Sequence, residues 1–417
     1  MAAAKRYVCI HGHFYQPPRE NPWLETVETQ DSAAPYHDWN ERICAECYAP
    51  NGAARIVNAK NKIMRIVNNY ARMSFNFGPT LLSWLNENAP RTYRMILAGE
   101  HRSRKTFGGH SSAMAQVYNH IILPLASERD RLTQIRWGIA DYEHHYGAPP
   151  EGMWLAETAA DTESLALLAQ CGIKFTLLAP HQCKRVRPLK GDGGWTDTPG
   201  AAVDTTRPYL VKFDSGVSIA VFFYNGPASR AIAFEGLLNS GDNFAARLKA
   251  GFKDGTQAQL VHVATDGESY GHHHKHGEMA LAYTLRLLEA DKTVKLANYG
   301  SFLAQYPPEY ECEIVDGTSW SCAHGIERWR SNCGCNGGKP GFNQLWRKPL
   351  RQALDELRDT VVPLTELEGG KLFKDVWAAR DAYIGVVLDR GTESTDRFFR
   401  AHQSHELSEP ERVRAME

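Results

Sequence analysis

Short apolar runs recur along the chain, and each one ends in a polar or glycine-bearing loop. Runs that are rich in β-branched and aromatic residues and bounded by turn residues are typical of buried strands. We therefore predict strands at residues 7–10, 74–77, 152–155, 173–178, 209–213, 217–224 and 261–264. Asp214, Ser215 and Gly216 separate two of these runs, which predicts a hairpin at that point.

Between the predicted strands, apolar residues fall at helical spacing. This periodicity predicts helices at residues 54–71, 79–85, 114–123, 137–145, 161–172, 243–252, 279–288 and, in several segments, from residue 344 onward. Pro79 suits the first turn of a helix, and Gly172 suits the end of one. The order strand, helix, strand over residues 152–178 implies two parallel strands joined by a right-handed crossover.

Composition narrows the class of protein. Of the 417 residues, 43% are hydrophobic, which is enough for one large domain of barrel size and a smaller appendage. A net charge of −1 provides no field that would attract nucleic acid or an anionic membrane. No apolar run approaches the roughly 18 residues of a membrane helix. We therefore expect neither a nucleic acid nor a membrane as a partner.

The first residues of the chain bear on its compartment. Lys5 and Arg6 precede the first strand without an apolar segment, so we expect no export signal. Without such a signal, the 9 cysteines indicate the reducing cytoplasm, where thiols stay free or bind metal rather than form disulfides.

Acidic residues follow two of the predicted strands. Glu157 comes just after the strand at 152–155, and Asp266 and Glu268 come just after the strand at 261–264. Carboxylates at the exits of buried strands are typical of active sites in α/β proteins, although such residues also cap helices or form turns. In a parallel barrel all strand exits face one way, so the two sites would converge.

Histidines also stand at strand exits. His11 and His13 follow the first strand, and residues 272–274 are three consecutive histidines. Such side chains can bind a metal, hold sugar hydroxyls or bond to the backbone. His110, in a Gly-Gly-His turn, is a further polar candidate, and Trp154 could give a sugar ring an apolar face.

A short glycine-rich stretch holds several cysteines close to Trp320. Cys322, His324, Cys333 and Cys335 are possible zinc ligands, but their spacing is not that of a standard zinc finger or ribbon. We favour packed free thiols over a bound metal here, and we expect no cofactor.

Two facing carboxylates suit the hydrolysis of glycosides. In the retaining reaction one carboxylate attacks the anomeric carbon, and the other donates a proton to the leaving oxygen and then accepts one from water. The proton donor must stay protonated near neutral pH while the nucleophile stays ionised, so the two sites need different surroundings.

Four sequence blocks carry a resemblance to a known family. HGHFYQPPRENPW from His11, FNFGPTLLSWL from Phe75, GMWLAET from Gly152 and ATDGESYGHHH from Ala264 resemble, in this order, the signature regions of glycoside hydrolase family 57. The resemblance covers roughly residues 6–300. It implies an incomplete (β/α)7 barrel of TIM-like type, and retaining action on α-glucans or related α-glycosides, as in α-amylases, 4-α-glucanotransferases and branching enzymes.

The resemblance also implies a division of the chain and a set of roles. Residues 1–310 would form the barrel with insertions, and residues 311–417 a Cys- and Trp-containing loop and a helical region packed on it. Carried over by position, Glu157 is the nucleophile and Asp266 the acid/base. The expected substrate contacts are His11, His13, Gln16, His110, Trp154, Glu268, Tyr270, His272 and Trp320.

The predicted function is therefore a retaining glycoside hydrolase or transglycosylase that acts on an oligo- or polysaccharide. Two alternatives remain open at this point. One is a metal-dependent hydrolase or deacetylase that uses His11, His13, Asp266 and residues 272–274. The other is a carbohydrate-binding protein on a catalytically inactive barrel.

Overall fold

The computed structural model describes residues 5–416. Residues 1–4, which belong to the segment where we expect no export signal, lie outside the described residues. The strands are β1 (Arg6–Phe14), β2 (Ala54–Val57), β3 (Ile63–Val67), β4 (Ser74–Phe77), β5 (Ala115–Gln116), β6 (Met153–Trp154), β7 (Phe175–Leu178), β8 (Cys183–Pro188), β9 (Thr196–Asp197), β10 (Pro208–Lys212), β11 (Ser218–Phe223), β12 (Gln259–Asp266), β13 (Lys295–Leu296) and β14 (Tyr310–Ile314).

The helices lie between these strands and after the last one. They are α1 (Trp39–Ile43), α2 (Ala49–Gly52), α3 (Pro79–Asn88), α4 (Pro90–Thr106), α5 (Glu128–Tyr146), α6 (Thr162–Gln170), α7 (Gly226–Phe234), α8 (Gly241–Lys249), α9 (Gly277–Ala290), α10 (Tyr299–Gln305), α11 (Glu327–Arg330), α12 (Arg347–Leu372), α13 (Val376–Ala382), α14 (Ile384–Leu388), α15 (Thr392–His402) and α16 (Glu409–Met416). No helix among residues 5–416 is long and apolar enough to cross a membrane.

Parallel strands follow one another side by side around β1. β1 pairs with β12 on one edge and with β4 on the other. A parallel bridge joins β4 to the start of β5, β5 pairs with β6, a second bridge leads to β7, and β7 pairs with β11. The backbone N–H of Asn225, just after β11, donates to the carbonyl of His262 in β12 at 2.8 Å. The two ends of the parallel series therefore approach each other.

The strands alternate between two apolar clusters, so both of their faces are buried. In β1, Val8 and Ile10 belong to the larger cluster, which the surrounding helices cover, while Tyr7 and Cys9 belong to a smaller cluster. The smaller cluster also includes residues of the neighbouring strands: Trp154, Phe175, Phe222, Leu260 and Ala264. Continuing the alternation along β1 places His11 and His13 on the same face as Tyr7 and Cys9.

Two predicted helices are wrong. Residues 54–71 form the hairpin of β2 and β3, because the Asn58 carboxamide oxygen accepts from the backbone N–H groups of Lys60 and Lys62 at 2.9 and 3.1 Å and closes a turn. Residues 114–123 contain β5 and an extended loop, in which Ala115 and Gln116 continue the parallel series. In both segments, pairing with another strand overrides the helical spacing.

The C-terminal helices form a small apolar cluster of their own, which includes Leu372, Phe398 and Phe399. They contact the rest of the chain through α13 and α5, where Arg380 pairs with Asp130 at 2.7 Å and the Trp137 indole donates to the Asp381 carbonyl at 2.9 Å.

The long helix α12 departs from our expectation. Leu350, Leu354 and Leu357 are between 49% and 58% exposed. These three leucines of α12 therefore do not pack against the strands, although the predicted helix itself is present.

Candidate active site

Glu157 lies at the carboxyl end of β6, in a short 3-10 turn at Ala156–Thr158. Its backbone has φ 57° and ψ 19°, a left-handed conformation that non-glycine residues adopt at a cost in free energy. The indole N–H of Trp320 donates to Glu157 Oε2 at 3.0 Å, and the backbone N–H of Trp320 donates to the Glu157 carbonyl at 3.0 Å. The side-chain bond therefore orients the carboxylate, and the backbone bond holds the turn that carries it.

Asp266 is the last residue of β12 and pairs in register with His13 of β1. The residue is exposed, so its carboxyl faces an opening, but protein surrounds that opening. Burial of the carboxyl and the negative charge of Glu157 raise its pKa to about 6. The two carboxylates therefore lie close enough for the charge of one to shift the protonation of the other.

Tyr224 and Trp320 connect the two acids. Tyr224 follows β11, and burial together with the Asp266 charge raises the pKa of its phenol. The Tyr224 ring meets the Trp320 ring edge to face, with centroids 6.3 Å apart. Trp320 thus contacts the acid on β6 directly and the acid on β12 through a neighbouring ring.

The histidines of β1 are buried and neutral. His11 has no exposed surface, and burial lowers its pKa to about 3. Its Nδ1 lies 3.0 Å from Ser74 Oγ, and its Nε2 lies 3.1 Å from Asn76 Oδ1. With Nδ1 accepting and Nε2 donating, both ring nitrogens have partners, so His11 supports the site from beneath.

His13 continues this network toward the opening. The Asn76 amide donates to His13 Nδ1 at 2.9 Å and to Gln116 Oε1 at 2.8 Å. His13 Nε2 then donates to His120 Nε2 at 3.0 Å. Burial holds the pKa of His13 well below its usual value and lowers that of His120 to about 4. The chain of bonds therefore runs between neutral groups.

Trp154 forms the floor beneath these histidines. It is fully buried, and its ring stacks on His11 and on His13 with centroids 4.9 Å apart in each case. Trp320 meets it edge to face at 5.1 Å. Among the described residues, Trp154 Nε1 and Gln116 Nε2 are buried donors without a hydrogen-bond partner.

Glu268 is a buried acid behind Asp266. Its Oε1 accepts from the backbone N–H of Tyr15 at 3.1 Å and from the Tyr48 hydroxyl at 2.7 Å. Burial raises its pKa to about 8 despite these two donors, and the charge of Asp266 adds to the rise. Gln16 lies nearby in sequence and is also buried, where its side chain accepts from Arg19 at 2.8 Å.

Other residues that we expected to contact the substrate bond to other groups of the protein instead. His110 lies before β5 and pairs with Glu151, before β6, at 2.9 Å, so it is at the opposite end of the strands from Glu157. Tyr270 is buried and its hydroxyl accepts from Thr265 at 3.3 Å. His272 pairs with Glu46, and His274 bonds to the Ala233 carbonyl at 3.0 Å. The consecutive histidines therefore anchor the loop after β12.

The opening beside Glu157 extends to the C-terminal helices. A cavity of about 700 Å³ is lined by Glu157, His120, Arg351 and Arg380, among others. Arg351 belongs to α12 and Arg380 to α13. The wall of the cavity thus combines strand ends with helices from the last part of the chain.

The structure adds site residues that the sequence reasoning did not select: Asn76, Gln116, His120, Tyr15, Tyr48 and Tyr224. Asn76 lies within the FNFGP block and could have been found there. His120 carries no signal in the sequence, because its position depends on a left-handed backbone conformation with φ 54°.

Comparison with known families gives two matches. A family model described as glycosyl hydrolase family 57 matches residues 61–315, which is more than half of the chain. A second, described as a domain of unknown function, DUF3536, matches residues 342–417. The first match contains both Glu157 and Asp266, whereas β1 with its histidines lies ahead of it.

Curated relatives match over shorter stretches. An α-amylase, Alpha-amylase 1 of Dictyoglomus thermophilum, is 26% identical over 204 residues, which are 48% of this chain and 26% of the relative. A 4-α-glucanotransferase of Thermococcus litoralis is 26% identical over 160 residues, which are 36% of this chain and 23% of the relative. The matches thus span about a quarter of the length of either relative.

Among solved structures, an exo-type maltose-forming amylase of Pyrococcus sp. ST04 has a TM-score of 0.64 at 15% identity. The similarity covers 95% of this chain and 68% of that one. At this level of identity the likeness concerns the fold, and it extends over the C-terminal helices as well as the strands.

Proposed function

Because the chain belongs to glycoside hydrolase family 57, we propose that it is a retaining enzyme that hydrolyses or transfers α-glucan chains or related α-glycosides. One observation carries the proposal: the charge of Glu157 helps raise the pKa of Asp266 to about 6, across a cleft at the ends of parallel strands. A retaining mechanism needs such a pair, with one carboxyl ionised and the other able to hold a proton.

In the proposed first step, Asp266 donates its proton to the glycosidic oxygen while a Glu157 oxygen attacks the anomeric carbon. The bond from the anomeric carbon to the leaving oxygen breaks, and a glycosyl ester forms on Glu157. The indole N–H of Trp320, bonded to Oε2, holds the carboxylate so that its other oxygen can face the sugar. Strain at the Glu157 backbone supports the same function, since left-handed non-glycine residues cluster at active sites.

The second step uses the same pair in reverse. Once Glu157 is an ester it no longer carries a negative charge, so part of the effect that raised the pKa of Asp266 disappears. The ionised Asp266 then takes a proton from water or from a sugar hydroxyl, which attacks the anomeric carbon and releases Glu157. Whether water or a sugar arrives first decides between hydrolysis and transfer.

Two buried donors lie beneath the cleft. Trp154 Nε1 and Gln116 Nε2 are buried without partners among residues 5–416, and burying such a group costs about 1–3 kcal/mol. Both side chains lie under the surface, so they do not themselves contact a ligand in the cleft. The neutral network of His13 and His120 would place donors beside a bound sugar without adding a charge.

We also propose the finer organisation of the fold. The parallel series from β12 through β1 to β11 supports an incomplete (β/α)7 barrel. The separate apolar cluster around Phe398 and Phe399 supports a division into a barrel at residues 1–310 and a C-terminal region at 311–417.

The geometry does not favour a metal-dependent hydrolase at this cleft. Within the described part of the chain, His11, His13, Asp266 and residues 272–274 form no group of ligand atoms close enough to share an ion. Both nitrogens of His11 and of His13 already have partners. A catalytically inactive binding protein is disfavoured because both acids of the proposed pair are present and coupled.

Rescue by an external nucleophile tests the two roles separately. Glu157→Ala and Asp266→Ala should each lower turnover of an aryl α-glucoside or maltooligosaccharide by several orders of magnitude. With azide, Glu157→Ala should yield a glycosyl azide of inverted configuration, because azide replaces the missing nucleophile. Asp266→Ala should yield one of retained configuration, because azide attacks the ester without needing a general base.

A matched control is Asp214→Ala. Asp214 is an exposed acid in the turn between β10 and β11, at the end of β11 away from Asp266. This variant should keep normal activity and give no azide product. Near-normal turnover in either Glu157→Ala or Asp266→Ala would refute the assignment. Size separation of the products from maltooligosaccharides would then distinguish transfer, which gives longer chains, from hydrolysis.

A further inference from the structure

Four potential metal ligands converge in the segment between β14 and α12. One ligand atom from each of Cys322, His324, Cys333 and Cys335 lies within 4.8 Å of the others. Cys322 Sγ is 3.9 Å from Cys335 Sγ, and His324 Nδ1 is 3.7 Å from each of these two sulfurs. Side chains from two separate turns of the chain thus face one point.

These distances fit a tetrahedral zinc ion. With Zn–S bonds of about 2.3 Å, tetrahedral geometry places two sulfurs about 3.8 Å apart. A disulfide would instead need an S–S distance of about 2.05 Å. We propose that Cys322, His324, Cys333 and Cys335 bind one structural Zn²⁺ as a Cys₃His site.

The backbone is shaped to bring the ligands together. Gly334 lies between Cys333 and Cys335 and has φ 81°, which turns the chain so that both sulfurs can face the same point. Gly325, just after His324, has φ 60°, and its N–H donates to the Cys322 carbonyl at 2.9 Å. The backbone therefore forms both turns without help from a metal ion.

Charge around the site supports bound thiolates. Three thiolates, a neutral imidazole and Zn²⁺ carry a net charge of −1. Arg347, at the start of α12, places Nη1 3.9 Å from Cys333 Sγ. Gln344 Oε1 accepts from the Cys333 S–H at 3.7 Å, a bond that zinc binding would replace. The Arg347 guanidinium beside this sulfur would favour its thiolate form and offset part of the negative charge.

The position of the site indicates what the metal does. Four protein ligands leave no open coordination position, so the ion would be structural and would not activate water. Trp320 lies two residues before Cys322. The same segment is held to the strand end through Thr318, whose carbonyl accepts from the Ala160 N–H at 3.1 Å. Zinc would therefore fix the loop that places the Trp320 indole on Glu157.

Metal analysis of the full chain, purified under reducing conditions, tests the site directly. We expect about one zinc per chain by elemental analysis. Replacement by Co²⁺ should give thiolate-to-metal charge transfer and the visible bands of a tetrahedral ion. Cys333→Ser and Cys335→Ser should each lose the metal, while Cys171→Ser, a half-buried cysteine just after α6, should keep it.

These readouts do not depend on glycosidase activity, and the Glu157→Ala variant should retain its zinc. The proposal is overturned if the folded wild-type chain binds neither zinc nor cobalt at about one per chain, or if Cys333→Ser and Cys335→Ser retain full zinc. Iron in place of zinc, or a Cys322–Cys335 disulfide in the reduced preparation, would also overturn it.

Discussion

Removing the charge of Glu157 should change the protonation of Asp266. The pKa of Asp266 is about 6, raised from 3.8 first by burial and then by the Glu157 charge. The variant Glu157→Gln keeps the size and the hydrogen-bonding oxygen of the side chain but removes the charge. We expect the pKa of Asp266 to fall in this variant and to remain above 3.8, because the burial does not change.

The size of the effect follows from the geometry of a retaining pair. Retaining carboxyl groups lie about 5–5.5 Å apart, and two charges at that range interact by about 1 kcal/mol when water screens them strongly. Because Asp266 faces an opening, we use this strongly screened value of the interaction energy. An energy of 1.4 kcal/mol is a factor of ten, so about 1 kcal/mol should raise the acid dissociation constant about fivefold.

Carbon-13 NMR can follow this change directly. Aspartate labelled at the side-chain carboxyl is titrated in the wild type and in Glu157→Gln, and the Asp266 signal is assigned by its loss in Asp266→Asn. Asp214→Asn serves as a control that should leave the Asp266 titration unchanged. In the wild type, kcat/KM should fall tenfold for each pH unit above about 6, because the acid form of Asp266 is lost.

Two outcomes would refute the reasoning. A wild-type Asp266 that titrates near 3.8 would show that its surroundings do not hold a proton. A pKa that is the same in the wild type and in Glu157→Gln would show that the two carboxylates do not share one cleft.

Three further variants test other parts of the site. Trp320→Phe keeps the aromatic ring but removes the donor to Glu157, and should lower kcat about tenfold or more, since such a bond contributes about 1.5–3 kcal/mol. Glu268→Gln should gain stability relative to the wild type as the pH rises from 4.5 to 8, by about 4 kcal/mol, because folding raises the pKa of this acid to about 8 and disfavours its ionised form. Asp161→Ala should destabilise the fold by about 2–3 kcal/mol, because it removes the cap of α6 and a partner of Arg131.

The controls and contrary results are specific to each variant. Trp377→Phe removes a similar indole bond, to Glu366 at 2.9 Å, and should leave kcat unchanged; equal effects of the two tryptophan variants would contradict the first prediction. Thermal unfolding at pH 5 and 8.5 checks the second, which a pH-independent difference in melting temperature contradicts. Urea unfolding checks the third, and a loss below about 0.5 kcal/mol would mean that Glu163 alone suffices for Arg131.

The sequence could predict that the two acids lie at strand ends, because these positions depend on local order. A buried strand followed at once by a polar turn places its last side chains at one edge of a parallel sheet, and Glu157 and Asp266 both follow this rule. The strand at 74–77 was predicted with its observed bounds, and the hairpin of β10 and β11 was predicted from three turn residues. These features need no knowledge of distant parts of the chain.

The remaining errors concern contacts between distant segments. His110 has the chemistry of a sugar-binding residue. It precedes β5, however, and therefore lies beside Glu151 at the amino end of the strands, away from the cleft. The consecutive histidines at 272–274 bond to Glu46 and to Ala233, which no local pattern indicates.

The four ligands at residues 322–335 also lack a standard spacing. Their convergence depends on two glycine turns and on α12, so only the folded structure reveals it.

The cleft itself depends on two parts of the chain. Glu157 lies within residues 61–315, which match glycoside hydrolase family 57, but its hydrogen-bond donor Trp320 lies beyond that match. Arg351 and Arg380, which line the cavity beside Glu157, lie within residues 342–417, which match the domain of unknown function. A chain ending near residue 315 would keep both acids but lose the donor that holds the proposed nucleophile and one wall of its cavity. The C-terminal segment therefore contributes to the proposed active site rather than merely following it.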